Sequence, residues 1–145
     1  MCIIIDANVA HEVIGSPTDA GRRVYVWLVD EAGIVATGGR SRTELLKTRF
    51  REIYQTLLLA GKLYRYSDEE VDETEIAVSQ TGRLISDDPH VIALALVSRC
   101  RLLFSRDQNL HEDFRNPLVL KPRGHIYQDA DHNHLLREAT SCRSP

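Results

Sequence analysis

Cys2-Ile3-Ile4-Ile5-Asp6 opens the chain as a short β-branched run that stops on a carboxylate. A run apolar at every position and too short for a helix is expected to be a strand buried on both faces. Two later segments show a similar relation of apolar run to aspartate. Arg101-Leu102-Leu103-Phe104-Ser105-Arg106 leads into Asp107, and Asp88 opens the run Val91-Ile92-Ala93-Leu94-Ala95-Leu96-Val97. In an open α/β sheet, ligands bind at the carboxyl ends of the parallel strands. Carboxylates converging there cannot all stay ionised without a cation between them. The pattern therefore points to a hard divalent metal, magnesium or manganese, and to phosphate chemistry.

Outward from these runs, strands alternate with helices. Asn8 to Ile14 is expected as a short helix stopped by Gly15. Ser16-Pro17 then reads as the start of a helix carrying Ala20, Val24, Trp27, Leu28 and Ala32 at helical period. Residues 34–37 form a second expected strand, turned by Gly38-Gly39. The longest helical pattern runs from Ser41 to Ala60, with Leu45, Leu46, Phe50, Ile53, Leu57 and Leu58 on one stripe. A third strand is expected at 63–66, and Ser67 caps an acidic helix after it. Asp88-Pro89 starts a helix running to about Arg99, followed by a strand at 102–105 and a short helix from Asn109 to Phe114. His125-Ile126-Tyr127 reads as a last strand and His132 to Ala139 as a last helix. This alternation predicts an α/β fold, a mostly parallel sheet wrapped by helices. One domain is expected over residues 1–140, with 141–145 as a frayed tail.

Composition agrees with a globular chain. Its 145 residues are 43% hydrophobic and 27% charged, enough for a real core. The net charge of −3 gives no general attraction to nucleic acid, so such binding would need a local basic face. The three cysteines, Cys2, Cys100 and Cys142, are odd in number and match no zinc spacing. No disulfide framework is expected; Cys2 and Cys100 read as buried thiols, and a reducing cytoplasm as the setting. No signal peptide and no membrane span are expected either. His132 and His134 are two apart, which suits no histidine zinc pair, and no glycine-rich phosphate loop is present.

Four acids then stand out: Asp6, Glu44, Asp88 and Asp107. Each also has a plainer reading. An aspartate after a strand is often a turn or helix cap. Asp88-Pro89 is an ordinary helix start, with Asp87 as an alternative to Asp88. Ser41-Arg42-Thr43-Glu44 is a possible capping box. It is their combination and order that favour a site.

That combination resembles the PIN-domain family of metal-dependent ribonucleases. The matching stretches are Ile3-Ile4-Ile5-Asp6-Ala7-Asn8-Val9, Thr43-Glu44-Leu45, Asp88-Pro89-His90-Val91-Ile92-Ala93-Leu94-Ala95 and Leu102-Leu103-Phe104-Ser105-Arg106-Asp107. The resemblance implies a three-layer α/β/α sandwich and an endoribonuclease in which Asp6, Glu44, Asp88 and Asp107 hold Mg2+ or Mn2+. It also implies roles for Ser105, a small hydroxyl residue before the last acid, and for Asn8, a polar position after the first. Family members include toxins of bacterial toxin–antitoxin pairs, so an antitoxin protein and a homodimer are implied partners beside RNA. The segment from Lys121 to Arg137 lies beyond the family's common core. It reads as a closing strand and helix, with a dimer or partner surface as the alternative.

Arg40, Arg42, Lys47, Arg49 and Arg51 cluster near Glu44, where a basic rim would serve an RNA backbone. A solvated helix face with Arg/Glu pairs explains Lys47 to Arg51 equally simply. Asn8, Arg42, Ser105 and Arg106 are the expected substrate contacts, with Arg106 the best placed for a phosphate. His90 is expected on a helix surface, with a place near Asp88 facing the site as the alternative. Two other functions fit less of the pattern. A receiver-like signalling domain lacks its early acidic pair and has only the distant Lys121 as its lysine. A catalytically silent PIN-like binding module would not need all four acids.

Overall fold

The computed structural model describes residues 1–145. Five strands form one sheet in the order β3-β2-β1-β4-β5. They are β1 (Cys2–Ile5), β2 (Ile34–Thr37), β3 (Leu63–Arg65), β4 (Leu102–Phe104) and β5 (His125–Tyr127). Every pairing is parallel. The helices are α1 (Ala10–Val13), α2 (Asp19–Asp30), α3 (Gly39–Leu45), α4 (Arg51–Leu59), α5 (Asp68–Gln80), α6 (Pro89–Ser98), α7 (Gln108–Arg115) and α8 (Asn133–Glu138).

The expected three layers follow from strand alternation. Ile3 and Ile5 of β1, with Leu102 and Phe104 of β4, pack on one face against α1, α2, α4 and α8. Cys2, Ile4 and Leu103 pack on the other against α5, α6 and α7. Phe104 meets Tyr127 edge-on at 5.2 Å. Helix α6 is apolar on all sides and buried along nearly its whole length, as such a helix must be.

Several local expectations change. The helix expected over 41–60 is two helices. Thr48 breaks it: its Oγ donates to the Leu45 carbonyl at 2.6 Å and accepts from the Phe50 N–H at 3.1 Å, replacing helical bonds. The capping box does not form, because α3 begins earlier, at Gly39. Gly39 has φ +55, and a Cβ there would lie 2.6 Å from Val71, so only glycine fits. Thr18, not Ser16, caps α2, accepting from the Gly21 N–H at 3.1 Å.

The absence of a disulfide is also corrected. Cys2 and Cys142 are joined, with Cα atoms 5.9 Å apart; only Cys100 is a free, buried thiol. A separation of 140 residues carries no sequence signal, and the fold alone brings the two together. Within residues 141–145, expected to fray, Cys142 and Arg143 are held. Arg143 pairs with Glu70 at 3.0 Å, its N–H donates to the Ser98 carbonyl, and its carbonyl accepts from the Tyr66 hydroxyl. The 121–137 segment closes the sheet: β5 pairs with β4, and Leu136 of α8 is buried. No helix is long and apolar enough to cross a membrane.

Candidate active site

The strand order creates the place for a site. The chain builds β1, β2 and β3 outward on one side, then returns to place β4 on the other side of β1. A crevice opens at the carboxyl end of such a switch point. Asp6 follows β1 and Asp107 follows β4, on neighbouring strands where Ile5 pairs with Phe104. The apolar runs fix this placement: burying each strand forces the next polar residue to the sheet edge.

Ser105 joins the two acids. Its buried hydroxyl donates to Asp6 Oδ2 at 2.8 Å and accepts from the Asp107 N–H at 3.1 Å. Asp6 accepts from the Asn8 N–H at 3.4 Å, which starts the short turn over Ala7–Val9. Asp107 caps α7, accepting from the Asn109 and Leu110 N–H groups at 3.0 and 3.3 Å. Both aspartates are thus caps as well as candidate site residues. Behind them, His111 Nε2 lies 2.6 Å from the Ser105 carbonyl and steadies that turn.

Asp88 is the N-cap residue of α6 but makes no capping hydrogen bond. The carboxyls of Asp107, Asp6 and Glu44 all act on it instead. Burial first, then these neighbours, push its carboxyl up to about 6. Burial also raises Asp6, with the Ser105 and Asn8 hydrogen bonds working against it. The loop before Asp88 is anchored by buried Asp113, which accepts from the Ile85 and Ser86 N–H groups at 3.0 and 2.9 Å.

Glu44 lies at the end of α3 and reaches the same cleft. Arg40 Nε is 3.1 Å from its Oε1, and His90 Nε2 is 3.1 Å from its Oε2. His90, expected on a helix surface, is 1% exposed, and its Nε2 lies 4.0 Å from Asp88 Oδ1. It forms a bridge between two of the acids. Burial lowers its pKa, although Glu44 pulls the other way. Its Nδ1 and the Ser41 hydroxyl are buried without partners beside the cleft that Ile5, Asp6, Glu44 and Val91 also line.

Two expected substrate contacts are engaged elsewhere. Arg42 pairs with Asp68 at 3.0 Å. Arg106 forms a two-pronged pair with buried Glu12, at 3.0 and 2.8 Å. Asn8 remains exposed beside Asp6.

The donor set is all oxygen around Asp6, Asp88 and Asp107, which suits a hard divalent cation. No three of the carboxylates bring oxygens within 4.8 Å of one another. An ion here would have at most two of these carboxylates as direct ligands, with waters completing its shell. The only trio that close is Cys2, Cys100 and Cys142, and the disulfide removes two of its thiolates.

Removing the Asp88 charge is expected to stabilise the metal-free protein. Asp88→Asn in EDTA at neutral pH should raise the melting temperature by about 3 °C. The sign follows from a folded pKa of about 6 against 3.8. Ionisation costs stability above the higher value, and the cost is gone below the lower one. Melting curves across that range check it; an equal effect of the substitution at both ends would refute the repulsion.

No family model and no curated protein matches the chain. Among solved structures, it is similar to a chain of the VapBC2 complex from Rickettsia felis bound to a DNA fragment from their promoter. The identity is 14%, covering 88% of this chain and 98% of that one, with a TM-score of 0.45.

Proposed function

We propose that the acid cluster is the active site of a metal-dependent endoribonuclease. The observation that carries this reading is convergence. Asp6, Glu44, Asp88 and Asp107 come from four separate chain segments; Ser105 links Asp6 to Asp107, and His90 Nε2 lies 3.1 Å from Glu44 and 4.0 Å from Asp88. A structural role explains Asp6 and Asp107 as caps. It does not explain why Asp88, which caps nothing, stands among three further acids at a cost to folding.

A divalent ion bound by Asp6, Asp88 or Asp107 would neutralise charge on a phosphodiester and make water a better nucleophile near neutral pH. The protein's own groups set the rest. Ser105 fixes the rotamer of Asp6; its hydroxyl is spent on Asp6 and Asp107, so it positions rather than attacks. Arg40 and His90 hold the two oxygens of Glu44, aiming its carboxylate along the cleft. RNA is the substrate this reading requires, and the cytoplasm its setting. The PIN-like pattern of the sequence adds a toxin role, with an antitoxin segment and a second copy of the chain as partners.

The test is cleavage of a panel of structured RNAs with manganese, with magnesium and with EDTA. Cutting is expected with either metal and none with EDTA. Glu44→Gln should slow it by about tenfold. Unchanged cutting by that variant would leave Glu44 as a partner of Arg40 and His90 only. No cutting under any metal, with no heat of metal binding, would favour a silent binding module.

A further inference from the structure

A large cavity lies at the opposite edge of the sheet from the acids, and its chemistry is the reverse of theirs. About 610 Å³ in volume, it sits where β4 and β5 begin, against the end of α6 and the chain after α8. Arg99, Arg101, Lys121, Arg123 and His125 line it, against Glu138 as its one carboxylate. None of these cations forms an ion pair, whereas Arg23, Arg40, Arg42, Arg49, Arg106 and Arg143 all do. In a chain of net charge −3, such a concentration of unpaired positive charge is not a consequence of composition.

Arg101 gives the cavity a built wall. Its guanidinium is half-buried and donates only to backbone carbonyls: Pro122 at 2.7 Å, Ala95 at 2.7 Å, Cys100 at 3.1 Å and Lys121 at 3.2 Å. Those bonds fix its position and tie the 121–122 loop to β4, but they leave its charge uncompensated. Desolvation without a counter-charge is costly, and an anion arriving at the cavity would relieve it. Leu96, Leu102, Pro122 and Leu135 give it an apolar side, and Thr140 and Ser141 add two hydroxyls. The volume lies within the usual range for small-ligand sites.

We propose that this cavity binds a nucleoside di- or triphosphate, its phosphates on Arg99, Lys121 and Arg123 and its nucleoside against the apolar wall. That class unites a multiply charged anion with a base whose flat faces are apolar and a ribose whose hydroxyls can meet Thr140 and Ser141, matching the parts of the lining. The site is independent of the acid cluster and needs no divalent ion.

The test is calorimetric titration of the full chain in EDTA with ATP, pyrophosphate, adenosine and a short single-stranded RNA. ATP should bind more tightly than pyrophosphate, and adenosine should give no heat. Lys121→Glu and Arg123→Glu, both at exposed positions, should keep the wild-type circular dichroism and each weaken ATP by about tenfold or more. Raising the salt concentration should weaken wild-type binding in the same direction. No heat from ATP, or ATP binding unchanged in both variants, would overturn the proposal. So would RNA binding without ATP binding, which would make the surface a nucleic-acid face. Equal affinity for pyrophosphate and ATP would overturn the nucleoside half.

Discussion

Asp6→Asn is expected to lower metal-dependent RNA cleavage by about a hundredfold or more while leaving the fold intact. The two halves of that expectation have different origins. Loss of activity follows from position: Asp6 is the acid at the end of the central strand β1, and Ser105 locks it in place. Retention of the fold follows from the hydrogen bonds. The amide oxygen of asparagine can accept from the Asn8 N–H as Oδ1 does, and its NH2, in the place of Oδ2, can donate to the Ser105 hydroxyl. Burial already raises the Asp6 pKa, so losing the charge removes a desolvation penalty. The measurement is a cleavage rate in manganese beside a thermal melt. A variant that melts like wild type and cuts like wild type would show that Asp6 is a cap and nothing more. A variant that cuts poorly because it is unfolded would show itself in the melt.

What the sequence revealed of this site, and what it hid, divides along physical lines. Strand ends were legible because burial forces them: Ile3-Ile4-Ile5 and Leu102-Leu103-Phe104 can only be core, so Asp6 and Asp107 fall at the edge. The parallel α/β fold followed from alternation of such runs with helical stripes. Pairings across the chain were not legible. Arg42 and Asp68 are 26 residues apart, and Arg106 and Glu12 are 94 apart, so charge pattern alone offered both arginines as free. The Thr48 break was hidden for another reason, since a side chain competing for two backbone groups leaves the apolar stripe unchanged. His90 did leave a signal. It lies in Pro89–Ser98, a helix with no polar face, and a helix buried on all sides buries its histidine too. On that ground His90 reads as buried from the sequence alone.

Arg106→Ala is expected to destabilise the protein by about 2–3 kcal/mol, through a group other than the one removed. Glu12 is 5% exposed, and Arg106 meets both its oxygens while Thr18 donates to one of them at 2.8 Å. Deleting the arginine leaves a buried carboxylate with a single hydroxyl partner. The Arg106 side chain is itself 42% exposed, which keeps the loss below that of a fully buried pair. Its guanidinium also lies over the Phe104 ring, 5.5 Å from the centroid, so some packing is lost as well. The pH dependence distinguishes the charge from the packing. The Arg106 hydrogen bonds hold the Glu12 carboxyl below its ordinary value of 4.5. A depressed carboxyl contributes stability above its unfolded pKa and loses it as pH falls through the folded one. The gap between wild type and Arg106→Ala in urea denaturation should therefore be widest at neutral pH and narrow below about 4. Adding Glu12→Gln to Arg106→Ala should recover part of the loss, since a neutral amide is less costly to bury than an unpaired carboxylate. A gap that stays constant with pH would assign the loss to packing on Phe104. A negligible loss with weakened RNA binding would return Arg106 to the phosphate contact its place beside Asp107 first suggested.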